Sequence, residues 1–346
     1  MRYRLLGQTG LYVSELCLGT MTYGGSGGIW ESIGKLQQEA VTEQVRVAVE
    51  AGVNFIDTAN VYSYGRAESL LGQALKQLAL PRADLIIATK ATGIMNDTPN
   101  GRGQSRHHLF NEVEASLKRL QLDYIDLYQL HAFDPLTPFE ESLSALNDLV
   151  RSGKVRYIGA SNMAAWQIMQ ALGVSDRHGF AKFASVQAYY TIAGRDLERE
   201  VIPLLQDQRL GLMVWSPLAG GLLTGKFKHA EDKGPPDARR ASFDFPVVDR
   251  PRVFRCLDAM RPIAVRHGVS VAQVALAWLL AKPVVSSVII GAKSLEQLTD
   301  NLGATRLALS EADIQGLDEV SQLPPEYPGW MLAFQGQYRS KAPVKE

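Results

Sequence analysis

Two hydrophobic periods alternate along the 346-residue chain. Short, nearly continuous apolar runs recur, and each is followed by a longer segment whose apolar residues share one helical face. Leu16–Gly19 reads as a strand, and Ala40, Val41, Val45, Ala48 and Val49 then form one face of a helix spanning 39–50. A strand over 53–57 precedes the helical stripe Ala67, Leu70, Leu71, Ala74, Leu75 and Leu78. Residues 85–90 are apolar almost throughout, as expected of a parallel strand covered on both faces. The stripe Leu109, Val113, Leu117 and Leu120 leads to a strand over 124–131, and Phe139, Leu143, Leu146 and Leu149 lead to one over 155–159. Helices over 164–172 and 197–206 precede strands over 184–187 and 212–216. A helical region over 253–281 precedes a strand over 284–290, and a last helix starts near Ser294.

The alternation amounts to eight strand-plus-helix units of about forty residues, close to the period of a βα unit. An open doubly wound sheet and a closed (β/α)₈ TIM barrel both have this rhythm. The number of units and the length favour the barrel, as one α/β domain over residues 1–346. Residues 3–7 and 12–14 read as a hairpin around Gln8-Thr9-Gly10, expected to plug one end of the barrel. Two stretches break the rhythm. Residues 218–252 are charged and rich in Pro and Gly, and a long loop of this kind is expected to cap the active face. Residues 322–346 form a Pro-rich tail that contains Tyr327, Trp330 and Phe334.

Composition narrows the function. Lys and Arg number 36, as do Asp and Glu, so the formal net charge is zero. This argues against a general nucleic-acid binder while leaving room for one basic phosphate pocket. Cys17 and Cys256 are outside any CxxC spacing and read as buried free thiols of a reducing compartment. The first residues lack an apolar core and a cleavage site, so no signal peptide is expected. The most apolar stretch, 271–290, is broken by Lys282-Pro283 and makes a poor membrane span, so the expected location is cytoplasmic. Three motifs fail on inspection. Gly220 to Lys226 almost spells a phosphate-binding loop, but Phe227 stands where a hydroxyl would hold magnesium. Gly24 to Gly28 lacks the third dinucleotide-binding glycine. His107 and His108 diverge on a helix, and no metal site is expected.

In a βα barrel the C-terminal strand ends face one cavity. The second strand ends at Asp57 with Tyr62 in the next loop, the third at Lys90 and the fourth at His131. Taken singly, each has an ordinary reading as a helix cap, a solvated rim lysine, a satisfied buried histidine or a core tyrosine. Together they form a chemical set. A tyrosine hydroxyl has a reference pKa near 10, which a neighbouring ammonium lowers. A carboxylate keeps that ammonium in place, and an imidazole can orient a carbonyl oxygen. Such a set polarises and protonates a carbonyl as hydride reaches its carbon.

The run from Asp57 through Tyr62-Ser-Tyr-Gly65-Arg-Ala-Glu68 to Gly72 resembles the first signature of the aldo-keto reductase superfamily. Ile87-Ala-Thr-Lys90, Asp123 to His131, Gly153 to Asn162, Val186-Gln187, Trp215-Ser216-Pro217-Leu218 and Ile289 to Lys293 resemble it in order and spacing. The likeness is nearest to the aryl-alcohol, general-aldehyde and potassium-channel β-subunit branches. The resemblance implies a barrel that binds NADPH (NADP) and transfers hydride to a small-molecule aldehyde or ketone. It makes Tyr62 the general acid, tuned by Lys90 and Asp57, with His131 orienting the carbonyl. Thr20 and Asp57 would lie at the cofactor, and Ser161, Asn162 and Gln187 would bind its carboxamide. Trp215 would stack on the nicotinamide, and Ser216, Pro217, Leu218, Gly220 and Lys226, with Arg240, would line the pyrophosphate, which would make 218–252 a cofactor-clamping loop. Gly291, Lys293, Gln297 and Asn301 would hold the adenosine end, Lys293 pairing with the 2′-phosphate of NADP. Met21, Tyr23, Trp30, Tyr64, Phe133, Tyr189 and Trp330 are the candidate substrate-pocket residues. Two other readings stay open: an NADP-binding module with slow turnover, resembling the channel β subunits, and alcohol oxidation in the reverse direction. No membrane or nucleic-acid partner is expected, and the sequence leaves a homo-oligomer open.

Overall fold

Eight parallel strands close into a barrel in the computed structural model, which describes residues 1–340 other than 230, 233 and 235–237. An antiparallel hairpin, β1 (Tyr3–Leu5) and β2 (Tyr12–Ser14), precedes it. The barrel strands are β3 (Leu16–Gly19), β4 (Phe55–Asp57), β5 (Ile86–Ala91), β6 (Ile125–Leu130), β7 (Val155–Ser161), β8 (Phe183–Tyr189), β9 (Gly211–Trp215) and β10 (Val285–Ile290). They pair in chain order, and β10 closes the ring against β3. This is the (β/α)₈ TIM barrel expected from the eight-fold alternation.

The two faces of each strand meet different partners. Outward residues such as Ile56, Ile87, Tyr128 and Val214 pack under the surrounding helices. A second, smaller apolar cluster joins Cys17, Phe55, Ile86, Ala88, Leu127 and Met213 to Leu6 and Val13 of the hairpin. The hairpin therefore stoppers the barrel at the end opposite the strand C-termini. At its tip Gly7 has φ +61°, and a Cβ there would lie 2.6 Å from the Ala184 carbonyl oxygen and 2.7 Å from the Gly211 nitrogen. Only glycine combines that backbone with that clearance. The Arg4 guanidinium fastens the hairpin by donating to the Leu280, Lys282 and Val285 carbonyls.

Departures from the expected elements have local causes. The helix expected over 197–206 is a short 3₁₀ turn, Asp196–Glu198, followed by helix Val201–Asp207. Pro203 fits only the first turn of a helix, so the helix starts just before it. The region over 253–281 is two helices, Arg250–His267 and Val271–Leu280, bent by 100°. Gly268 ends the first in the left-handed conformation, and the Ser270 side chain caps the second. The stretch 218–252 contains the 3₁₀ turn Ala219–Thr224 and the short helix Arg239–Ser242. The tail is not wholly irregular: the proline-free stretch Gly329–Ser340 is helical, and residues 341–346 lie outside the described residues. Among the described residues no single helix is long and apolar enough to cross a membrane.

Candidate active site

The strand register brings Asp57, Tyr62, Lys90 and His131 to one end of the barrel. Asp57 is the last residue of β4, pairing with Gly19 on one side and Ala88 on the other. Lys90 lies one residue before the end of β5, and His131 directly follows β6. Tyr62 opens a tight turn in which Ser63, Tyr64 and Gly65 all have positive φ, which folds the chain back so that the phenol meets the strand ends. The Lys90 ammonium is fully buried and uses all three protons. It donates to Asp57 Oδ2 at 2.6 Å, the Thr58 carbonyl at 2.8 Å and Tyr62 Oη at 3.3 Å. Burial opposes its charge, but Asp57 and then Tyr62 outweigh that cost and raise its pKa above the ordinary lysine value. The ammonium is therefore a permanent cation against the phenol oxygen.

His131 packs its ring edge on Tyr62, with centroids 5.9 Å apart. Burial, and next the Lys90 charge, lower its pKa to about 3. It is a neutral imidazole at working pH, able to donate one hydrogen bond without bringing a second cation. Trp30 also packs on Tyr62, with ring centroids 5.6 Å apart.

Tyr62, His131 and Asp57 open onto a cavity of about 600 Å³. One wall follows β9. Trp215 ends that strand, and its indole nitrogen donates to Asn162 Oδ1 at 3.0 Å. Asn162 in turn donates to the His131 carbonyl and to Ser161 Oγ, both at 3.0 Å. Ser161 thus sits behind Asn162 and not on the lining. Beyond Trp215, Ser216, Ala219, Gly220 and Gly221 all have positive φ and wind the backbone into a tight turn on the cavity wall. A side chain at Gly220 would strike the Phe245 carbonyl oxygen at 2.6 Å. Pro217, Leu218, Thr224 and Lys226 continue this wall. Thr20, Gly291, Lys293, Gln297 and Asn301 also line the cavity. Gln297 is held by the Lys293 backbone N–H, which donates to its Oε1 at 3.0 Å.

Two cofactor residues expected at the lining are thus set behind it. Besides Ser161, Arg240 is withdrawn because its guanidinium is occupied by the Ala219 carbonyl at 2.9 Å, by Asp244 and by the Pro246 carbonyl. It braces the wall from behind. Of the expected substrate residues, Met21 and Trp30 line the cavity, and the other five do not. Tyr23 turns into the core and is fully buried. Phe133 packs on Phe139 and Trp166, and Tyr189 lies against Trp215. Tyr64 is half-exposed and flanks Gly27. Trp330 is on the exposed face of the tail helix. Sequence reasoning missed Phe245, which stacks on Trp215 with planes 8° apart and centroids 5.8 Å apart. It also missed Gln129, described below. Neither carries a local signal, since Phe245 sits in an aperiodic loop and Gln129 is one of two polar residues, with Asp126, in β6.

The cavity suits a dinucleotide. A flat indole lies beside the tetrad, a left-handed glycine turn admits close approach of a backbone to a ligand, and Lys226 and Lys293 both line the cavity. Among the described residues no cluster of three or more His, Cys, Asp or Glu is arranged to hold a metal ion.

Residues 15–322 match the model of the aldo/keto reductase family. The chain belongs to that family, and so to the oxidoreductases that act on carbonyl or alcohol groups. It is 36% identical over 342 residues to an uncharacterised oxidoreductase of Bacillus subtilis, covering 95% of this chain and 100% of the relative. It is 38% identical over 340 residues to a putative aryl-alcohol dehydrogenase of Schizosaccharomyces pombe, covering 92% and 95%. A probable voltage-gated potassium channel subunit beta of Arabidopsis thaliana is 37% identical over 340 residues, covering 95% and 99%.

Proposed function

We propose that the protein reduces aldehydes or ketones to alcohols with NADPH, with Tyr62 as the general acid. The observation that carries this reading is the single ammonium shared by Asp57 Oδ2 and Tyr62 Oη. Bound NADPH supplies the hydride. Tyr62 Oη gives its proton to the carbonyl oxygen, and Lys90 stabilises the phenolate left behind. Asp57 holds the ammonium in place. Neutral His131 donates a hydrogen bond to the same oxygen as charge develops there. Trp215 offers a flat face to the nicotinamide, and Asn162 and Gln187 present amides to its carboxamide. The turn at Gly220 and Lys226 receives the pyrophosphate. Gly291, Lys293, Gln297 and Asn301 receive the adenosine end, where Lys293 pairs with a 2′-phosphate as a point charge. Met21, Trp30 and Phe245 make an apolar wall suited to aromatic or bulky carbonyl compounds.

A nicotinamide absorbance assay tests the proposal. Purified protein is offered NADPH or NADH with aromatic aldehydes, short aldehydes, diketones and cyclic ketones. Turnover that Tyr62→Phe lowers by about 10²-fold or more, while NADPH still binds, supports it. Retained turnover in Tyr62→Phe would overturn Tyr62 as the acid. The likeness to a channel β subunit favours a second reading, a cofactor-binding module with slow turnover. Tight NADPH binding without turnover on any panel member would support that reading instead.

A further inference from the structure

The Asp57 carboxylate has a second anchoring residue on the side away from Lys90. Gln129, near the end of β6, is fully buried and lies across the strand pair from Lys90 on one side and Gly159 on the other. Its Nε2 donates to Asp57 Oδ1 at 3.2 Å. Gln187 donates to the same oxygen at 2.8 Å, and its Nε2 is also 3.3 Å from Gln129 Oε1. The two carboxylate oxygens are therefore divided. Oδ2 serves the ammonium, and Oδ1 is held by two neutral amides from alternate strands.

Space has been left for this arrangement. At Gly159 a Cβ would lie 3.1 Å from Gln129 Cγ, so the neighbouring strand carries no side chain where Gln129 crosses the barrel. One turn of the strand pattern earlier, Leu127 fills the interior with an apolar side chain. A buried carboxamide is costly without partners, and packing alone would be met by another leucine.

We propose that Gln129 is a positioning residue of the reaction, one that orients the Asp57 carboxylate and limits how tightly it draws Lys90 away from Tyr62. The inference rests on the proposed role of Tyr62. Without the Gln129 N–H, charge on Asp57 is less dispersed, Oδ2 holds the ammonium more firmly, and less of its field reaches the phenol. Tyr62 then becomes harder to ionise. The charged or titratable groups around it are Asp57 on β4, Lys90 on β5, His131 after β6 and the Cys17 thiol on β3. His131 is neutral, and burial, with Asp57 adding to it, raises Cys17 well above its ordinary pKa. On the helix that follows Tyr62, the Glu68 carboxylate is engaged by Arg119 and Thr89.

The test compares wild type, Gln129→Met and Gln129→Glu, each with and without Tyr62→Phe. The tyrosinate absorbance that disappears with Tyr62→Phe is titrated on cofactor-free protein. The expected result is an upward shift of the Tyr62 titration by about one pH unit in Gln129→Met, and further in Gln129→Glu, where a second carboxylate is added. The alkaline limb of para-nitrobenzaldehyde reduction moves with it, and NADPH affinity changes less than about threefold. An unshifted titration in a folded variant overturns the inference. So does a shift accompanied by a large loss of NADPH affinity, which would place Gln129 at the cofactor. If Gln129→Met does not fold, Gln129→Leu, which also lacks the N–H and adds no charge, is titrated in its place and read by the same criterion. Failure of the Tyr62 reading is recognised separately, by turnover that survives Tyr62→Phe.

Discussion

Lys90 is the residue on which the site depends, because its buried charge is compensated by one carboxylate and shared with one phenol. Lys90→Met removes the cation and leaves Asp57 buried with only amide partners. The expected cost is about 3–5 kcal/mol of stability, read from urea unfolding, together with loss of carbonyl reduction. His131 leads to a different expectation. Its native pKa of about 3 lies below the ordinary histidine value of about 6.5. Between those values the unfolded state binds more protons. Stability is therefore complete above about pH 6.5 and declines as pH falls toward 3, by up to about 1.4 kcal/mol per unit from this group. His131→Asn should flatten that decline, measured as the difference in unfolding free energy between acid and neutral buffer.

At the scale of elements, the cavity wall after β9 is held from behind. The turn Ala219–Thr224 hangs on Arg240, whose guanidinium ties it to the segment carrying Phe245. Arg240→Ala should loosen that segment without touching the tetrad. The expected outcome is faster NADPH release, about tenfold in stopped-flow fluorescence, with an unchanged Tyr62 titration. Unchanged release would mean that the brace does not control cofactor exit. The same loop shows where local pattern loses its force. Barrel strands and helices were legible because burial imposes a period of two or 3.6 residues. The segment around Arg240 and Phe245 has no period, and its roles come from contacts with residues some twenty positions away in sequence, as in the Arg240–Ala219 bond.

For the whole molecule, the barrel gathers on one face what the chain distributes over its full length. Thr20, Lys226, Lys293 and Asn301 line the same cavity. If the cofactor lies in this cavity, Lys293 governs the choice between NADPH and NADH. Lys293→Ala should weaken NADPH by about tenfold or more and NADH little, and equal losses would remove the assignment. At the other end of the barrel the hairpin packs into the interior, and the cavity with the tetrad lies at the strand C-termini.

Hydrophobic periodicity by itself determined the order and number of the barrel units, because every strand and helix must bury a face. It also made Asp57, Lys90 and His131 conspicuous, since each ends an apolar run with a group that burial alone would exclude. Tertiary structure decided the rest through direction and distance. Register and a left-handed turn brought Tyr62 to Lys90, and inward orientation placed Gln129 and Gln187 on one oxygen of Asp57. Contacts outside the local period turned Tyr23 into the core, withdrew Arg240 behind the wall and set Phe245 on Trp215. Side-chain identity is a property of one position, whereas who meets whom depends on how eight strands close.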